Sequence, residues 1–174
     1  MTRLRIVLVA TVAALTAVGI AVAVPGGNFS VHTTGALEVP VRDTGAQGQA
    51  TFKLSKDGES LSYKLNVANI ENVIMAHIHQ GLPGVPGDIV VWLYPSTAPG
   101  VLAPAGGGRI SGRIASGTIT ADDLVGPLDG ADLSDLVELL QSGGAYVNVH
   151  TSDGVGDPNT GPGDFPGGEI RGNF

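Results

Sequence analysis

Two of the chain's four histidines stand one residue apart in Ala76-His77-Ile78-His79-Gln80-Gly81, and a third, His150, ends the run Tyr146-Val147-Asn148-Val149-His150. On a β-strand alternate side chains share a face, so an H-x-H pair places two imidazoles at neighbouring positions, near enough to hold one metal ion. A third imidazole from an adjacent strand completes a three-nitrogen set that suits copper or zinc with an open position. The same spacing also fits a metal-free framework, in which His77 and His79 hydrogen-bond to Glu169, Asn148 or loop carbonyls and organise the Gly-Pro loop that follows. The residues leave both readings open.

Strand parity sorts the neighbours of these histidines. Ile74, Ala76 and Ile78 share one face, with Val73, Met75, His77 and His79 on the other. Val147 and Val149 form a core pair, which turns Tyr146, Asn148 and His150 the opposite way, and in Gly168-Glu169-Ile170-Arg171-Gly172 the apolar Ile170 opposes Glu169 and Arg171. If these three segments are neighbours in one sheet, the face away from the core gathers His77, His79, His150, Asn148, Tyr146, Glu169 and Arg171. Glu169 and Arg171 then either orient the imidazoles from behind or pair with each other as a strand-end ion pair.

The elements that must position these residues are mostly strands. Phe29 and Val31, then Leu37 and Val39, suggest a first strand interrupted at Thr34-Gly35. Residues 50–54 and 61–67 alternate around the turn Lys56-Asp57-Gly58-Glu59 and predict a β-hairpin. Strands are also expected over 73–79, 89–94, 109–114, 117–120, 145–151 and 169–172. One helix is predicted, capped by Asp132 or Ser134, with a stripe of Leu133, Leu136, Val137, Leu139 and Leu140 and a stop at Gly143-Gly144. This pattern indicates an antiparallel sandwich or barrel.

Composition narrows the chemistry. At 174 residues and 43% hydrophobic, the chain can form one domain with a core of its own. Setting aside Arg3 and Arg5 leaves seven of the nine Lys/Arg against 16 Asp/Glu, a charge near −9, which disfavours nucleic acid. There is no cysteine, hence no disulfide, lipobox or thiol nucleophile, and no G-x-S-x-G motif marks an activated serine. Asp153, Asp157, Asn159 and Asp164 fill a Gly-rich loop, but their spacing is not that of a calcium loop, and a solvated acidic loop is the default. His32, between polar neighbours, reads as an ordinary strand residue.

At the start, Arg3 and Arg5 precede an uncharged run from Ile6 to Val24 ending in Ala21-Val22-Ala23, a small-x-small site. Residues 1–24 are therefore expected to be a signal peptide. The run is also about long enough to span a bilayer, so membrane attachment through residues 6–24 is the competing reading. Either way the domain is expected to lie outside the cytoplasm, secreted or at the cell surface.

The run A-H-I-H-Q-G-L-P-G-V-P-G-D-I-V-V-W-L, followed by Y-V-N-V-H-T and G-E-I-R-G, resembles the CHRD domain, named from the developmental protein chordin and recurrent in exported bacterial and archaeal proteins. Gly35, Leu37, Glu38 and Pro40 match that family's opening motif. The resemblance covers residues 28–174 and implies an all-β, immunoglobulin-like antiparallel Greek-key β-sandwich with one short helix. It further implies a non-enzymatic extracytoplasmic binding or structural module whose partner is an unidentified protein or ligand. Two features depart from the family pattern: a longer loop between His150 and Gly168, and the helix over 134–144. The H-x-H strand is also similar to that of copper-zinc superoxide dismutase, but without cysteine and with one further site histidine a bridging dinuclear centre cannot be assembled. The alternative to the plain binding module is a mononuclear copper or zinc protein, for storage, delivery or redox use, with His77, His79 and His150 as ligands.

Overall fold

The computed structural model describes residues 27–95 and 102–174; the expected signal peptide or anchor lies outside them. Among the described residues eight strands run in chain order: β1 Asn28–Thr34, β2 Gln47–Leu54, β3 Leu61–Glu71, β4 Val73–Gln80, β5 Ile89–Tyr94, β6 Arg109–Ile119, β7 Ala145–Thr151 and β8 Ile170–Asn173. The one α-helix among these residues, α1 (Leu133–Ser142), lies between β6 and β7. All strand pairs are antiparallel, in the order β5-β4-β7-β8-β1-β2-β3-β6.

The order divides into two halves that meet where Thr34 of β1 pairs with Arg171 of β8. Connections β3 to β4, β5 to β6 and β6 to β7 each pass from one half to the other, the Greek-key arrangement of an immunoglobulin-like sandwich. Alternate positions of both halves feed one apolar cluster: Ala76, Ile78, Val147, Val149 and Ile170 from one, Val31, Ala50, Phe52, Leu65 and Ile119 from the other. Phe52 stacks on Tyr63, whose hydroxyl donates to the Leu93 carbonyl at 2.8 Å and ties β3 to β5. Gly172 stands at the meeting of the halves, where a Cβ would run into the His32 carbonyl.

Helix α1 forms where its stripe predicts. Asp132 caps it reciprocally with Asp135, and Gly143 ends it in the left-handed conformation at φ 72°. Leu133, Leu136, Val137 and Leu140 are buried, each burial being worth about 1.5–3 kcal/mol. Two expectations change. The first strand ends at Thr34, because Gly35–Leu37 turns as a 3-10 helix, and this leaves Leu37 and Val39 exposed. Residues 109–119 form one long strand with register shifts against β3 in place of two short ones.

The outer face of the β4-β7-β8 half is not open to solvent. Every residue of β7 is buried, on both sides, and so are both histidines of β4. The covers are the loops 81–88 and 152–168.

Candidate metal centre

The register brings the predicted residues onto one face. Across β4 and β7, His77 pairs with Asn148, His79 with Tyr146 and Met75 with His150, and across β7 and β8 Asn148 pairs with Arg171. His77, His79 and His150 are 0%, 7% and 6% exposed, and each offers a ring nitrogen within 4.8 Å of those of the other two.

Backbone carbonyls of the covering loops set two of the rings. His79 Nδ1 lies 2.8 Å from the Gly87 carbonyl and His150 Nδ1 lies 2.8 Å from the Pro166 carbonyl. A carbonyl only accepts, so each Nδ1 carries the hydrogen and each neutral ring keeps its lone pair on Nε2. His77 Nδ1 is 3.2 Å from His150 Nε2, and Asn148 Oδ1 is 3.0 Å from that same nitrogen. The Nε2 atoms of His77 and His79 are buried with no hydrogen-bond partner among the described residues. An uncompensated buried polar atom costs about 1–3 kcal/mol, and for His79 a metal on Nε2, with Nδ1–H held by a carbonyl, is the usual arrangement that repays it.

Burial also fixes the charge state. Desolvation, reinforced by the neighbouring His150 and His79, takes the His77 pKa from 6.5 down to about 2. Burial takes His150 to about 4 against the opposing bond to Pro166, and it lowers His79 against the bond to Gly87, with Arg171 adding to the decrease. Three neutral imidazoles are three available donors at physiological pH.

A second tier holds the loops in place. Tyr146 stands on the strand between His79 and Arg171. His79 stacks on it at 4.8 Å and 5°, and the Arg171 guanidinium carbon lies 3.4 Å from its ring centre. The Tyr146 hydroxyl accepts from Gly87 N at 3.1 Å, while Arg171 Nη2 donates to the carbonyls of Leu82 and Val85 at 3.0 Å each. Only glycine fits at position 87, since a Cβ there would meet the Gln80 carbonyl.

Glu169 departs from both roles considered for it. Its Oε1 accepts from Thr44 Oγ1 at 2.6 Å, and its Oε2 from Thr151 Oγ1 at 2.6 Å and Gly163 N at 2.9 Å. It therefore neither orients the histidines nor pairs with Arg171; it fastens the 152–168 loop to β7 and to the turn before β2. In that loop, Asp164 Oδ2 caps Thr160 and Asp153 Oδ1 caps Val155 N, so these carboxylates shape turns. His32 is exposed on β1.

Two residues of this region are missed by sequence reasoning. Trp92 lies opposite His77 in the β4-β5 register and stands edge-on to it at 4.2 Å and 89°. Its place in a nearly all-apolar strand hid it. Glu38 is buried, with Oε1 unpartnered among the described residues, and burial raises its pKa to about 7 against the pull of the Val39 amide, Arg171 and Arg42. The family motif had marked the position but not its burial.

No curated protein and no solved structure matches the chain. The family model for the CHRD domain matches residues 29–157 and ends before β8, which carries Arg171 and completes the half-sheet under the three histidines. With that match over most of its length, the chain belongs to the CHRD domain family.

Proposed function

We propose that this protein is an exported CHRD-domain module that binds a single copper or zinc ion through His77, His79 and His150. The observation that carries the reading is the pair of Nδ1–H···O=C bonds from His79 and His150, which leave lone pairs on buried Nε2 atoms of a neutral three-histidine cluster. A hydrogen-bonded framework alone would leave His79 Nε2 desolvated and uncompensated. Extracytoplasmic residence rests on the basic and then apolar run of residues 1–24 and on the family's recurrence in exported proteins. A non-enzymatic role fits a site covered by two loops that are fastened to the strands beneath.

The test is the metal content of the full chain, purified without a His-tag from the cell envelope or medium. About one equivalent of copper or zinc per chain is expected; metal-free protein that takes up neither ion contradicts the reading.

A further inference from the structure

Resting on that metal-binding reading, we infer that Asn148 supplies a fourth ligand through Oδ1, so that the centre is a closed N3O set for a divalent ion and not a three-histidine site with an open position. Asn148 stands opposite His77 on β7 and two residues before His150, on the same buried face, and is itself 4% exposed. With Nδ1–H of His150 committed to the Pro166 carbonyl, a metal-binding Nε2 is bare, yet Asn148 Oδ1 sits 3.0 Å from it. Two lone pairs facing at that distance repel unless a cation lies between them. The alternative is that the amide turns over and donates its NH2 to the ring, as it must in the metal-free protein.

The spacings match a shared ion. At about 2.0–2.1 Å from zinc to each donor, the edge of a coordination tetrahedron is about 3.3 Å. The His77 Nδ1 to His150 Nε2 separation is 3.2 Å and the Asn148 Oδ1 to His150 Nε2 separation is 3.0 Å. The 4.8 Å bound on the three nitrogens is wider than a tetrahedral edge, so loading draws the imidazoles inward. A carboxamide oxygen is a hard donor, so the set favours zinc or Cu2+ over Cu+. With every position filled by the chain, such a centre stores, carries or stiffens, and offers no site for an exogenous ligand.

The test uses the full chain loaded with Co2+, followed by its visible absorption during azide titration, with Asn148→Leu and Asn148→Asp beside the wild type. The wild-type spectrum is expected to stay unchanged in millimolar azide. Asn148→Leu should bind Co2+ about tenfold or more weakly and shift with azide, while Asn148→Asp, which keeps an oxygen donor and adds charge, should bind more tightly and stay inert to azide. A wild-type spectrum that shifts with azide would overturn the fourth ligand while leaving the three-histidine centre intact. No Co2+ or Zn2+ uptake by the wild type would overturn both. If Asn148→Leu does not fold, an azide-sensitive or weaker-binding Asn148→Asp still refutes the ligand role.

Discussion

His77 Nδ1 and His150 Nε2 lie 3.2 Å apart across adjacent strands, a separation that serves equally as a hydrogen bond without metal and as one edge of a shared coordination shell with it. The centre can thus be held in place before the ion arrives. Because burial keeps His77 and His150 neutral down to about pH 2 and 4, protons compete poorly for these nitrogens. Zinc affinity should therefore change little between pH 7.5 and 5.5 and collapse only toward about 4, whereas exposed histidines would lose affinity from about 6.5. Competition titrations at three pH values check this; a steep loss between 7 and 6 would contradict it.

Metal-free protein should lose stability in acid for the same reason. Below 6.5 the unfolded chain takes up protons that the buried imidazoles refuse, so unfolding binds protons and stability falls as pH drops from about 6.5, to about 4 on account of His150 and on toward about 2 on account of His77. Glu38 acts in the opposite sense. Its folded pKa, raised from 4.5 to about 7, gives a contribution present below 4.5 and lost as pH rises through about 7. Glu38→Gln should therefore steepen the rise of Tm with pH between about 4.5 and 7. Thermal melts of chelator-treated protein read the slope, and an unchanged slope in the variant would count against the buried carboxyl.

Arg171 should act on the metal without touching it. Its bonds to the Leu82 and Val85 carbonyls hold the loop whose Gly87 carbonyl fixes His79. Arg171→Met, similar in length but without donors, is expected to weaken zinc binding about 10- to 100-fold, as loss of an outer partner does, with a faster metal off-rate and a retained β-sheet spectrum. Unaltered affinity in a folded variant would show that the loop holds its place without the clamp.

Glu169 should be a stability residue. Glu169→Ala strands two threonine hydroxyls and the Gly163 amide and is expected to cost about 3 kcal/mol or more, whereas Glu169→Gln keeps an oxygen acceptor and should cost about half as much. Denaturant melts distinguish the two. Equal and small losses would mean that the 152–168 loop is anchored by other contacts.

Much of the centre was legible because strand parity is a local property. Ile78 between His77 and His79, and Val149 between Asn148 and His150, fix which side each polar residue takes, and the helix stripe with Asp132 and Gly143 fixed α1. What parity cannot supply is long-range geometry and backbone. The carbonyls of Gly87 and Pro166 orient the rings, and no side-chain pattern reveals a carbonyl. The two loops bury a face that alternation reads as merely polar. Glu169 is turned from the histidines by Thr44, which precedes it by 125 residues, and Leu37 fails as a core residue because a 3-10 turn breaks the two-residue period at Gly35.

The most direct test of the central claim is a chelator-competition titration of the full, untagged chain with Zn2+ and Cu2+, wild type beside the His77→Ala/His79→Ala double variant. We predict one tight site per wild-type chain and a loss of at least about a hundredfold in a folded double variant, as removal of two of the ligands requires. Equal affinity in the two proteins, or no stoichiometric binding by either, would contradict the account and leave the three imidazoles as a hydrogen-bonded framework beneath the loops.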